Sequence, residues 1–192
     1  MTDIEFKNVS FKYSNSDKDS LKEINLKITD GEFILISGPT GCGKTTLTRC
    51  INGLIPHFHQ GDLRGEVIVD NLLTTENSVA KLSGHIGMVF QNPENQLVSL
   101  NVRRELAFGP ENFGIPKEEI KIRVQETLEK LNLTHLVDKA PYEMSGGEQQ
   151  QVAIASVLTL KPKVIVLDEP TANLDPINAS KIIQLLGKLN RE

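Results

Sequence analysis

Residues 38–46 read Gly38-Pro39-Thr40-Gly41-Cys42-Gly43-Lys44-Thr45-Thr46. Every fixed position of G-x-x-x-x-G-K-[ST] is filled. The apolar run Phe33-Ile34-Leu35-Ile36 before it reads as a fully buried strand. A helix is expected to follow near Lys44–Asn52, stopped by Gly53. Strand, glycine turn and helix in that order are what the chemistry requires. The glycines let the main chain curl so that successive N–H groups face one concavity suited to anionic oxygens. The helix start adds roughly half a positive charge. In such a loop Lys44 meets the β- and γ-phosphates of a nucleotide, and the Thr45 hydroxyl binds Mg²⁺.

A second element supports this chemistry. Val164-Ile165-Val166-Leu167 is an apolar strand ending in Asp168-Glu169. Asp168 is expected at the sheet edge, facing Mg²⁺ through water. Glu169 is then placed to orient or deprotonate an attacking water. Taken alone, such a strand end is a weak signal, since strands often end in solvated acids. Paired with the glycine loop, it indicates a nucleoside triphosphatase. Upstream, Ser145-Gly146-Gly147 opens a further helix. Two readings stand from the residues themselves: a helix N-cap, or a second set of N–H groups for an anion.

The rest of the chain suits an α/β core with a mostly parallel sheet. Glu66–Asp70 alternates like an antiparallel strand, and Ile86–Phe90 is a further apolar strand. Helices are expected beyond Pro116 (Ile120, Val124, Leu128, Leu131), over Glu148–Leu160, and from Ile177. In the last, Ile182, Ile183, Leu185, Leu186 and Leu189 are expected on the inner side. The 192 residues carry a net charge of −4, which disfavours a general polyanion binder. No apolar run approaches the ~18 residues of a membrane span, and Met1–Glu5 lacks the pattern of a signal peptide. Cys42 and Cys50 on one helix would stand ~12 Å apart, too far for a disulfide, and read as reduced cytosolic thiols. His57 and His59 lack a third ligand of suitable spacing and read as a polar surface loop.

These motifs together resemble the ABC ATPase family. The resemblance implies a P-loop, RecA-like α/β core with an antiparallel β subdomain and an inserted helical subdomain. The core with its β subdomain falls at 1–92 and 162–192, and the helical subdomain at 93–161. It implies ATP on residues 38–46, with Tyr13 stacked on adenine. Mg²⁺ is expected beside Thr45, Gln91 and Asp168. Glu169, Lys44 and Gln91 are the expected catalytic groups. Ser145, Gly146 and Gly147 of one subunit are expected to reach the γ-phosphate held by another, with Leu174-Asp175 crossing between them. From the residues alone, Tyr13 reads more readily as a packing aromatic and Gln91 as a solvated loop residue.

A narrower resemblance rests on Phe90-Gln91-Asn92-Pro93-Glu94-Asn95-Gln96-Leu97-Val98 and Ala107-Phe108-Gly109-Pro110-Glu111-Asn112. These look like the ATPase subunits of energy-coupling-factor transporters, importers of vitamins, cobalt or nickel. That likeness implies a second ATPase subunit and an integral membrane coupling protein, docked around 91–112 on the cytoplasmic face of the membrane. No nucleic-acid partner is expected. Two departures stand out. Glu148 occupies a position where the family usually has glutamine. The family's switch histidine, expected after the last helix, matches none of His57, His59, His85 or His135. The expectation is therefore a chain truncated at its C-terminus that binds ATP but hydrolyses it poorly alone. The rival readings are a non-catalytic partner in a heterodimer and a soluble ABC-type ATPase acting on nucleic acid or ribosomes.

Overall fold

The structure is a computed structural model that describes residues 3–191. Its contacts divide the chain into two compact units, 1–86 and 87–192.

The first unit is built on a four-stranded sheet. Strands β1 (Ile4–Tyr13) and β2 (Leu21–Ile28) are followed by helices α1 (Lys44–Ile51) and α2 (Leu54–His57). Strands β3 (Gly61–Val69) and β4 (Leu72–Leu73) and helix α3 (Val79–Leu82) complete it. The sheet order is β2-β1-β3-β4, and its pairs are antiparallel. In β1, Ile4 and Phe6 point inward, Lys7 and Asn8 outward, and Val9 and Phe11 inward again. The break in alternation is a bulge, seen as register shifts against both neighbours. Asn25 Oδ1 accepts from the Asn8 N–H there. Asp70 and Asn71, both at positive φ, turn β3 into β4, as a two-residue hairpin requires. The apolar faces of β1 and β3 and the inner residues of α1 form the core of this unit.

The strand expected at 33–36 is a correction. No strand forms there, and Phe33, Ile34, Leu35 and Ile36 are exposed, Leu35 by 84 %. An apolar run becomes a buried strand only beside a neighbour that takes its backbone hydrogen bonds. Among the described residues the strands of this unit pair only with one another, in the order β2-β1-β3-β4, and none takes the hydrogen bonds of 33–36.

The second unit opens with β5 (Ile86–Val89), whose first residue closes the first unit. Helices α4 (Val102–Asn112), α5 (Lys117–Lys130) and α6 (Gly146–Leu158) follow, then β6 (Val164–Leu167) and α7 (Pro176–Arg191). Strands β5 and β6 form a two-stranded sheet. Helix α6 is buried on most of its circumference, through Gly147, Gln149, Gln150, Val152, Ile154 and Val157, as suits a central helix. Around it pack Leu106 of α4 and Leu128 of α5, with Leu133 and Leu136 beyond α5. The amphipathic pattern read for α5 is observed, with Pro116 at its start. In α7, Ile182 and Leu186 are buried, and Leu185 and Leu189 flank them. Ile183 is exposed, contrary to expectation. One residue turns a helix by about 100°, which carries Ile183 off the 182–186–189 stripe.

Glu105, though buried, is satisfied: its carboxylate accepts from the Val98 and Ser99 N–H groups at 3.0 and 2.8 Å. Ser145 caps α6, and Glu148 closes the box. The Glu148 carboxylate accepts from the Ser145 N–H at 2.7 Å and the Ser145 hydroxyl at 2.8 Å. The backbone bond first, then the hydroxyl, hold the Glu148 carboxyl below its ordinary titration range.

Two outcomes follow. Leu128→Ala removes a fully buried side chain from the second core and is expected to lower stability by about 2–5 kcal/mol in urea unfolding. Glu148→Ala is expected to lower the melting temperature at pH 7. A carboxyl with a lowered folded-state pKa stabilises above its unfolded value and loses that contribution as pH falls. The gap between the two proteins should therefore close as pH falls below about 4.

Candidate functional site

In the first unit, the loop 38–46 ends in α1, whose N-cap is Gly43 at φ 101°. That left-handed conformation is strained for any other residue. A Cβ at Gly43 would also lie 2.5 Å from the Ser20 carbonyl oxygen. Gly41 too has positive φ, and the Cys42 N–H donates to the Pro39 carbonyl, closing the turn. The Lys44 ammonium folds back on this loop, donating to the carbonyls of Gly38 at 3.0 Å and Pro39 at 3.3 Å. The expected loop–helix junction, with its lysine at the first helical position, is therefore formed.

Tyr13 lies at the end of β1, beside α1. Its hydroxyl is 3.3 Å from Thr46 Oγ1, and Arg49 donates to it at 3.3 Å. The ring packs edge-on against Phe11 and faces His59 at a centroid distance of 6.4 Å. Burial first, then the Arg49 charge, lowers the His59 pKa. Tyr13 thus touches the residue that follows Thr45, while packing as an aromatic as well. His57 Nε2 donates to the Thr74 carbonyl, 2.9 Å away. Cys42 is exposed and Cys50 buried, both as free thiols; burial pushes the Cys50 thiol up to about 12.

In the second unit the ends of β5 and β6 lie side by side. The Asp168 N–H donates to the Val89 carbonyl at 2.9 Å, and Asp168 itself is buried. Gln91 Nε2 donates to Glu169 Oε2 at 3.0 Å. Glu169 has φ 48°, the left-handed region that a non-glycine residue occupies at a cost of about 1 kcal/mol. Such strain is kept where surroundings over-determine it, often at functional sites. Asn173 Nδ2 donates to Asn92 Oδ1 at 2.7 Å. Asp175 accepts from the N–H groups of Ile177 and Asn178 at the start of α7. Those bonds, that of the Asn178 backbone foremost, hold its carboxyl below the usual range.

Ser145 caps α6, and Gly146, Gln149 and Gln150 of that helix form one wall of a cleft of about 370 Å³. Gln91, Asn92 and Asn173 contribute to the other walls. Gly146 and Gly147 differ. A Cβ at Gly147 would meet the Asn178 side chain at 2.8 Å, so packing against α7 accounts for it. At Gly146 nothing of the chain lies within 4 Å of a built Cβ. Internal packing therefore gives no reason for that glycine. Gln150 is buried, and its Nε2 has no hydrogen-bond partner.

The residues read from the sequence thus gather in two places. Residues 38–46 and Tyr13 meet in the first unit; Gln91, Asp168, Glu169 and the 145–147 helix tip belong to the second. Of the residues read for Mg²⁺, Thr45 belongs to the first unit and Gln91 and Asp168 to the second; hydroxyl, carboxamide and carboxylate oxygens are each hard donors of the type that Mg²⁺ takes. Sequence reasoning missed the Gln91–Glu169 and Asn92–Asn173 bonds and the Arg49–Tyr13 contact. All three join residues more than thirty positions apart, which no local pattern signals.

Residues 21–172 match the ABC transporter family. A candidate ABC transporter ATP-binding protein of Pyrococcus abyssi is 48 % identical over all 192 residues, which span 69 % of that protein. One of Methanosarcina mazei is 47 % identical over 98 % of this chain, which spans 32 % of it. Among solved structures, cbiO1 from Clostridium perfringens, part of the ABC transporter complex cbiONQ, superposes with a TM-score of 0.86 at 37 % identity. The match covers 98 % of this chain and 73 % of that one. The ATP-binding cassette MJ0796, solved as a dimer in a post-hydrolysis state with ADP and Pi, gives a TM-score of 0.80 at 34 % identity. Here 97 % of this chain and 82 % of that one are covered. The mixed α/β fold expected from the sequence is the fold of these ATPases. No helix among the described residues is long and apolar enough to cross a membrane. The chain belongs to the ABC transporter family and carries the fold of its ATP-binding, Mg²⁺-dependent ATPases.

Proposed function

We propose that this chain is the ATP-hydrolysing subunit of an ABC-type importer, acting as one of a pair of ATPase subunits at the cytoplasmic face of a membrane. The observation that carries the reading is Gly146, whose side-chain direction is open at the tip of a thirteen-residue helix. A helix start kept bare of side chains leaves its N–H groups approachable by an anion from outside the chain. The chain also has its own phosphate loop at 38–46. Two such features on one chain serve a head-to-tail pair, each copy sealing the nucleotide of the other. The dimeric MJ0796 cassette supports that reading.

In this mechanism the loop 38–46 holds the triphosphate, and Lys44 leaves the Gly38 and Pro39 carbonyls for the β- and γ-phosphates. Tyr13 lies against adenine. Thr45, Asp168 and Gln91 would hold Mg²⁺, which would supply neutralisation of the phosphate charge. Ser145, Gly146 and Gly147 of the second copy donate to the γ-phosphate. Glu169 takes the proton from water as the water attacks in line.

Two observations support an importer with a membrane partner. The cbiO1 neighbour is described as part of a transporter complex. Phe90, Val98, Leu100 and Phe108 are exposed apolar side chains on one stretch of the second unit, the stretch expected to dock a coupling protein. Cargo is then a metal ion or vitamin chosen by another subunit, as in the energy-coupling-factor transporters. One observation favours a second reading. The Ser145 hydroxyl is engaged by Glu148, so it is less available to a phosphate. That suits a partner whose signature helix serves the weaker of two sites in a heterodimer.

The reading is tested in the assembled ATPase pair. Glu169→Gln should retain ATP binding and lower turnover by about 10²-fold or more. Lys44→Ala should abolish measurable ATP binding in calorimetry. Normal turnover by Glu169→Gln would refute the base assignment. Single-turnover hydrolysis at each site of the pair separates the catalytic reading from the non-catalytic one.

A further inference from the structure

We propose that Asn173 is a positioning residue for hydrolysis, acting through Asn92 to keep Gln91 on the Glu169 carboxylate. This rests on the reading of Glu169 as the base.

Three hydrogen bonds run in order between the loop after β5 and the loop after β6. The backbone bond from Asp168 to Val89 comes first, at 2.9 Å. Next is Gln91 to Glu169 at 3.0 Å, then Asn173 to Asn92 at 2.7 Å. The first anchors the strand ends. The second orients the carboxylate. The third joins the far end of one loop to the neighbour of Gln91 on the other. Around it the 169–174 loop makes short turns of its own, Ala172 N–H to the Glu169 carbonyl and Leu174 N–H to the Thr171 carbonyl. These turns fix its local shape but do not reach the Gln91 loop.

Gln91, Asn92, Glu169 and Asn173 are all exposed. A single exposed side-chain hydrogen bond competes with water and contributes little net free energy. Two bonds in adjacent register restrain each other, because forming one fixes the loop that the other needs. Glu169 also sits in a left-handed conformation that needs such over-determination. A general base displaced by about 1 Å loses much of its advantage. Holding Asn92 therefore governs how well Gln91 holds Glu169. Asn173 touches neither nucleotide nor water in this scheme, so it positions and does not react.

The test uses two readouts. In the active ATPase pair, Asn173→Ala and Asn92→Ala should each lower kcat about tenfold with KM for ATP changed less than about twofold. The double variant should be no worse than either single one, since both break one bond. In the nucleotide-free protein, the side-chain amide ¹H–¹⁵N signals of Gln91 should move toward those of a free glutamine in Asn173→Ala. Asn92→Asp keeps an acceptor for Asn173 and should leave those signals near their wild-type position. Unchanged kcat and unchanged Gln91 signals in Asn173→Ala would overturn the proposal. So would additive losses in the double variant, or a loss confined to KM. If Glu169→Gln turns over normally, the base reading fails, and the Gln91 signals still report on the latch alone.

Discussion

A triphosphate packs several negative charges into a few ångströms, and a main chain holds it only by turning successive N–H groups toward one point. The loop at 38–46 is shaped by that demand. Gly43 stands at φ 101° with the Ser20 carbonyl where a side chain would be, and the first helical residue is the lysine that answers the charge. The antiparallel sheet packs beside α1 and brings Tyr13 to Thr46. The arrangement is one of backbone geometry first and side-chain chemistry second. That is why three glycines in nine residues constrain this chain more than its overall composition does.

Much of this was legible in the sequence, and the reasons for the rest are physical. Helix boundaries were readable because their signals are local: Pro116 before α5, Ser145 before α6, Gly53 after α1. Strands β1 and β2 were not. The bulge at Asn8 breaks the two-residue alternation of β1, and β2 is an edge strand with Lys22, Glu23 and Lys27 exposed. The run 33–36 misled in the other direction, since apolar composition states a need for burial and not the presence of a partner strand. Ile183 misled by one residue of helical phase. At the site, residue types were readable but their bonds were not. Gln91 and Glu169 are 78 positions apart, and Asn92 and Asn173 are 81 apart.

Glu148 shows how a departure from a family pattern changes meaning once neighbours are visible. By sequence it adds negative charge near an expected phosphate. In the structure its carboxylate turns back onto Ser145 and caps its own helix, with Lys139 3.8 Å away. The charge is thereby partly compensated, and a serine hydroxyl is occupied. Helix stability and phosphate donation thus draw on the same side chain at this position.

The central claim is that the 145–147 tip of one copy meets a nucleotide held by 38–46 of another. Gly146 offers the most direct test, because its own chain leaves room for a side chain there. Sedimentation of the Glu169→Gln protein should show its mass double with saturating Mg-ATP, and adding Gly146→Gln should return it to a monomer without lowering the melting temperature. A monomer at saturating ATP, or an ATP-dependent dimer indifferent to Gly146→Gln, would contradict the account.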